Sequence, residues 1–116
     1  MLDSDDRRRR VGAVVGLVPG SVEEYRRLHD EIPPEVAAAN REAGMRNHSM
    51  FLLREKNLLF SYYEFDGNDR AAARARLAAN PAMQAWWRLC RPLQIPVLET
   101  TGERRWTDIE LILHQP

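Results

Sequence analysis

Residues 47–65 read NHSMFLLREKNLLFSYYEF. Two apolar and aromatic runs, Asn47–Arg54 and Leu58–Phe65, flank the polar turn Glu55-Lys56-Asn57. Leu, Phe and Tyr suit a pleated, half-buried surface. A break this short ties the two runs into a hairpin. In the first run His48, Met50 and Leu52 share one face. Asn47, Ser49, Phe51 and Leu53 share the other, because side chains alternate along a strand.

Upstream of the hairpin, Val11–Val18 mixes Val, Ala and Leu with small residues and reads as a well-buried strand. Pro19-Gly20 ends it in a turn. Ser21 with Glu24 three residues on predicts a capping box opening a helix that carries Val22, Tyr25 and Leu28. Pro33-Pro34 interrupts that helix, since proline lacks the N–H and clashes with the preceding turn. A second piece starts there and runs through Val36 to Gly44, which suits a C-terminal cap.

Downstream, Asp66-Gly67-Asn68-Asp69 is a loop ending in a good N-cap. Ala71–Ala79 is helical by propensity. Asn80-Pro81 breaks it, and a further piece carries Met83, Trp86, Trp87 and Cys90. Pro92, Pro96 and Gly102 mark an irregular stretch, and Trp106–Leu113 closes the chain as a strand. Residues 1–9, with three Asp and a run of Arg, read as a flexible charged tail. Residues 10–116 then form a single α+β domain of order β–α–β–β–α–β. That is the ferredoxin-like pattern, a four-stranded antiparallel sheet with helices on one face. Its other face is too apolar to stay wet, which predicts a homodimer with two sheets facing each other, a dimeric α+β barrel.

Composition narrows the function. The chain has 116 residues, 44% hydrophobic, with 17 basic residues balanced by 17 acidic ones. Charge balance argues against a nucleic-acid partner, which calls for a basic excess. No apolar run is long enough to span a bilayer, and the N-terminus lacks the apolar core of a signal peptide. The single cysteine, Cys90, excludes an internal disulfide and a zinc site built from several thiolates. Cytoplasmic residence is expected.

Tyr25 and His29 lie four residues apart and share a helix face. Imidazole gives and takes protons near neutrality, and a phenol bonds hydroxyls. A packed or capping histidine is the structural alternative. His48 looks into any cavity that the Met50 face lines, or else makes a cross-strand hydrogen bond. Trp86 and Trp87 point about 100° apart on a helix, so both cannot sink into one narrow stripe. One packs while the other lines a pocket or an interface, where an indole stacks on a sugar ring. His29, His48 and His114 lack metal-ligand spacing, and no metal or organic cofactor is expected. Cys90 on an apolar helix reads as buried and inert.

These residues, in order, resemble the L-rhamnose mutarotase family of small dimeric α+β barrels. The resemblance runs from about Val11 to His114. It rests on Glu24-Tyr25, His29, Pro34-Glu35, Gly44, Asn47, Ser49, Phe51-Leu52, Asn57-Leu58-Leu59-Phe60, Trp86-Trp87, Trp106, Glu110 and His114. It implies interconversion of the α and β anomers of L-rhamnose or a related 6-deoxy sugar, without a cofactor. It implies His29 as the proton donor, and Tyr25, Trp86 and Trp87 as substrate-binding residues. His48 stands where many members carry a substrate-contacting Tyr, Pro33 where many carry Trp, and Leu111 where Glu often appears. The rival expectations are a cofactor-independent monooxygenase or isomerase of the same barrel type, acting on an aromatic or polyketide ligand, and a non-catalytic binding module.

Overall fold

A computed structural model of the chain describes residues 9–99 and 104–116. The charged tail over residues 1–8 lies outside the described residues. The elements are β1 (Arg10–Leu17), α1 (Val22–Asp30), α2 (Pro34–Glu42), β2 (Met45–Leu53), β3 (Leu58–Phe65), α3 (Arg70–Ala79), α4 (Pro81–Cys90), β4 (Gln94–Ile95) and β5 (Thr107–Ile109). One-turn 3-10 helices cover Arg54–Lys56 and Arg91–Leu93.

The sheet is antiparallel throughout, in the order β2-β3-β1, and β1 then pairs with both β4 and β5. The ferredoxin-like fold is therefore present, with a correction to its fourth strand. The expected strand over Trp106–Leu113 is regular only at Thr107–Ile109. Gln94–Ile95, which Pro92 and Pro96 masked as an irregular stretch, pairs with Gly16 and Leu17 at one end of β1. Thr107–Ile109 pairs with Gly12–Val14 further along the same edge. Two short strands in tandem occupy one edge position.

Local chemistry explains most of the boundaries. Asn80 ends α3 and caps α4, its side chain accepting from the Ala82 and Met83 amides at 2.9 and 3.2 Å. Asp69 accepts from the Ala72 amide at the start of α3. The expected capping box at Ser21 does not form. The Pro19-Gly20 turn brings the Val18 carbonyl to 2.6 Å, and the Ser21 hydroxyl donates to it instead. Glu24 pairs with Arg27 at 3.0 Å.

The strand pairings sort β residues onto two faces. Val15 and Leu17 of β1 and Leu59 of β3 pack with Val22, Tyr25, Val36, Met83 and Trp86 of the helices, and this is the main core. The opposite face carries Val14, Phe60 and Phe51 in one cross-strand row. Phe51 is 65% exposed there, and Leu53, Ile95 and Ile109 are also exposed.

One irregularity bears on the site. Arg46 pairs with Glu64 and Ser49 with Tyr62, so Asn47 and His48 together oppose Tyr63 in a β-bulge. Asn47 takes φ 52°, a left-handed conformation that Asn tolerates. The extra residue shifts the alternation, so His48 and Met50 line the same cavity as Met45.

Gly44 follows α2 at φ 96°. A Cβ there would lie 2.7 Å from the Asp66 carbonyl oxygen, which belongs to backbone. Gly44→Ala is expected to cost ~2 kcal/mol or more, from the left-handed backbone and the clash together. Urea unfolding checks this, and an unchanged midpoint would refute it.

Candidate functional site

Helices and sheet enclose a cavity of about 230 Å³ whose walls include Tyr25, His29, His48, Trp86 and Trp87. All five residues singled out in the sequence line this one space. They come from three elements, α1, β2 and α4.

Tyr25 sits at the base, 4% exposed. Its phenol oxygen accepts a buried hydrogen bond from Gln94 Nε2 at 3.0 Å. That bond uses the oxygen as acceptor and leaves the phenol hydrogen for another partner. Burial pushes the Tyr25 pKa well above the usual phenol range, outweighing the bond from Gln94. Tyr25 is a neutral donor at every physiological pH.

His29 stands one turn on. Its ring stacks on Tyr25 with centroids 4.4 Å apart and meets the Trp86 indole edge-on at 5.0 Å. Nδ1 lies 2.9 Å from the Tyr25 carbonyl oxygen. A carbonyl only accepts, so Nδ1 carries the hydrogen and Nε2 is the nitrogen left to exchange protons. Burial lowers the His29 pKa below the usual imidazole value, against smaller upward pulls from that carbonyl and from Asp30.

His48 reaches the cavity from the bulge in β2. Its Nε2 lies 3.2 Å from Ser61 Oγ on β3, and its ring meets Tyr63 edge-on. Both sequence alternatives hold: His48 makes a cross-strand bond and also faces the cavity. It keeps a solvent-exposed edge, yet the protein packed around the ring lowers its pKa, and the charge of His29 lowers it further.

The two tryptophans divide as their angular offset predicts. Trp86 is 8% exposed and belongs to the core, while Trp87 is half-buried, with Arg91 stacked 4.7 Å from its ring centre. Cys90 is buried, its thiol pushed up to about 12, and it is inert as a nucleophile near neutrality. Among the described residues no group of three His, Cys, Asp or Glu could hold a metal, and no helix is long and apolar enough to cross a membrane.

Sequence reasoning missed Gln94, Ser61 and Asp108. Ser61 had a signal, a small hydroxyl in an aromatic strand on the face of Leu59 and Tyr63. Gln94, between two prolines, had none. Asp108 sits where Arg104, Arg70 and Arg74 converge, at 2.7, 3.1 and 3.7 Å. Burial raises its pKa, but the bonds and charges of Arg104 and Arg70 outweigh this and hold the carboxyl below the usual range.

Known proteins share this architecture. A sequence profile described as L-rhamnose mutarotase matches residues 10–115. The L-rhamnose mutarotase of Listeria monocytogenes is 34% identical over 84 residues, 72% of this chain and 78% of its own. That of Pectobacterium atrosepticum is 35% identical over 68% of this chain and 73% of its own. Among solved structures, the L-rhamnose mutarotase of Formosa agariphila superposes with a TM-score of 0.71 at 21% identity, covering 92% of this chain and 98% of that one. The tetracenomycin F2 cyclase of Streptomyces glaucescens superposes at 0.67 with 16% identity, over 92% and 98% of the two chains. These two structural likenesses speak to fold alone.

The two lowered histidines fix a pH dependence of stability. An unfolded imidazole titrates near 6.5, while the folded ones hold their protons less tightly. The unfolded state therefore binds more protons once pH drops below about 6.5. Their contribution is complete above about pH 6.5 and is lost as pH falls through the folded pKa values. The urea midpoint is expected to fall between about pH 7 and 5.5. The fall should be shallower in His48→Gln, and equal slopes in the two proteins would contradict the assignment.

Proposed function

The chain belongs to the L-rhamnose mutarotase family, and we infer that it interconverts the α and β anomers of L-rhamnose or a related 6-deoxy sugar by acid–base ring opening and closure. The observation that carries the residue assignment is the pairing of two imidazoles, His29 and His48, in one cavity walled by indoles.

Mutarotation needs one group to protonate the ring oxygen and another to take the anomeric hydroxyl proton. The bond from C1 to the ring oxygen then breaks, the aldehyde forms, and the C1–C2 bond rotates. The ring closes on the opposite face of C1, and both protons return. Two imidazoles that repel each other's charge hold a single proton between them more readily than two. The Tyr25 carbonyl and Asp30 both favour the charged form of His29, so the first proton is assigned to His29. His29 thus serves as the acid through Nε2, and neutral His48 as the base. On closure the roles reverse. Tyr25, always protonated, donates to a sugar oxygen. Trp86 and Trp87 give the apolar wall for the ring and its methyl group.

The fold is shared with polyketide cyclase and antibiotic biosynthesis monooxygenase structures, but only at 16% and 15% identity, so neither chemistry is favoured here. The reading takes the enzyme as cytoplasmic and as a homodimer. Phe51, Leu53, Ile95 and Ile109 supply the exposed apolar sheet face that a second copy would cover.

Saturation-transfer NMR between the anomeric protons of L-rhamnose tests the activity. His29→Ala is expected to fold and to lose about 10²-fold or more of the protein-dependent exchange. Wild-type rates in that variant would reject the assignment. Because both imidazoles titrate below their usual value, protonated His29 is lost as pH rises toward about 6.5, and the wild-type enhancement is expected to decline over that range. A profile flat from about pH 5 to 8 would rule out the two-imidazole scheme. For the dimer, Phe51→Asp is expected to yield monomers by light scattering at micromolar concentration, where the wild type is dimeric. A monomeric wild type would sink that part.

A further inference from the structure

As the proposed base, His48 must receive the anomeric proton on a ring nitrogen. A neutral imidazole has one nitrogen that carries a hydrogen and one that offers a lone pair. His48 Nε2 lies 3.2 Å from Ser61 Oγ, so this nitrogen already faces a hydroxyl of the protein. Ser61 itself lines the cavity, together with His29, His48 and Trp86. Its hydroxyl therefore borders both the imidazole nitrogen and the space that takes the sugar ring.

The setting of Ser61 favours one direction for that bond. It stands opposite Ala13 on β1 and Met50 on β2, and neither side chain offers its hydrogen an oxygen or a nitrogen. The strand it belongs to is paired on both sides, so the backbone carbonyls around it are committed to the ladders. The Nε2 lone pair is the side-chain acceptor that the structure places within reach of the Ser61 hydrogen. With Oγ–H donating to Nε2, the lone pairs of Oγ stay available to a donor in the cavity. A sugar hydroxyl is such a donor. Leu59, Tyr63 and Phe65 share this face of β3, and Ser61 is the smallest of the four. It leaves space beside the imidazole where a substrate oxygen fits.

We propose that Ser61 is a further catalytic residue, a proton relay between the anomeric hydroxyl and His48. The proposal rests on the mutarotase reading of the cavity and deepens it. As the anomeric oxygen gives its proton to Ser61 Oγ, the Ser61 hydrogen passes to His48 Nε2. The electron pair of the broken O–H bond becomes the second bond of the aldehyde. The bond from C1 to the ring oxygen breaks, and the ring oxygen keeps that pair and takes the proton held on His29 Nε2. Serine ends the step with one hydrogen, as it began, and carries no net charge. His48 ends protonated and His29 neutral, and closure returns both protons through the same groups.

Nitrogen NMR of the His48 ring reads its tautomer at about pH 7.5, above the ordinary imidazole range. Nδ1 is expected to carry the hydrogen and Nε2 to be bare. The reverse tautomer would overturn the relay, because Nε2 could not then accept from Ser61. Anomer exchange of L-rhamnose is compared by saturation transfer. Ser61→Ala is expected to lower the protein-dependent rate about tenfold or more. The edge-on contact between the His48 and Tyr63 rings, read as nuclear Overhauser effects, is expected to persist in that variant. In a His48→Gln background the same change is expected to cost less than about twofold, since the relay has lost its acceptor. A wild-type rate in Ser61→Ala overturns the relay and leaves the mutarotase intact. A slow Ser61→Ala variant whose ring contact is lost also overturns it, and reduces Ser61 to a support for the imidazole. So does a cost of about tenfold in the His48→Gln background. Absence of protein-dependent exchange in the wild type overturns the mutarotase reading itself, and the relay with it.

Discussion

The buried hydrogen bond from Gln94 to the Tyr25 hydroxyl holds the functional end of this molecule together. Tyr25 is almost wholly enclosed, and its oxygen would be costly to bury without a partner. Gln94 belongs to a strand of two residues, pinned to the end of β1 between prolines. The bond therefore joins the sheet edge to the first helix across the floor of the cavity. From the fixed phenol the order passes upward. The Tyr25 ring stacks on His29, the Tyr25 carbonyl fixes the His29 tautomer, and Trp86 closes the column from the next helix layer. One satisfied polar contact sets the orientation of the imidazole proposed as the acid.

His48 is placed by a different device. Without the bulge at Asn47, strict alternation from Met45, which also lines the cavity, would send His48, along with Met50, to the opposite face. The added residue turns it toward Ser61, Tyr63 and the cavity. The bulge and the short fourth strand are departures from a regular sheet, and each delivers a site residue, His48 in one case and Gln94 in the other. Regular pairing builds the scaffold, and its interruptions aim the side chains.

This division explains what could be read from the sequence. The hairpin over residues 47–65, the breaks at Pro33-Pro34 and Asn80-Pro81, and the turn at Gly44 all follow from local chemistry, and the structure has each of them. Helical spacing alone puts Tyr25 and His29 on one face and turns Trp86 and Trp87 about 100° apart, and the structure brings all four to one cavity. Ser21 misled, since a capping box is a local pattern and the competing Val18 carbonyl is brought near by the preceding turn. The strand at Gln94–Ile95 and the Arg cluster about Asp108 depend on pairing across long chain separations. No window of sequence contains both partners of Asp108 and Arg70. Such features become visible only when the sheet closes.

The chemistry asks little of such a site, and this bears on how its parts are made. Sugar rings open and close in water unaided, so the protein needs no metal-strength electrophile. It needs an acid and a base present together around one small ring. Two ordinary imidazoles in bulk water would both be largely neutral at pH 7 and would act independently. Enclosing them in one cavity couples them, because a proton on one raises the cost of a proton on the other. The same burial that lowers both pKa values confines the one-proton state that the proposed scheme needs to pH values below about 6.5. Tyr25, pushed the opposite way by burial, stays out of that exchange and remains a hydrogen-bond donor. A single physical cause, removal of water, therefore assigns different roles to the phenol and the imidazoles according to which protonation state of each is neutral.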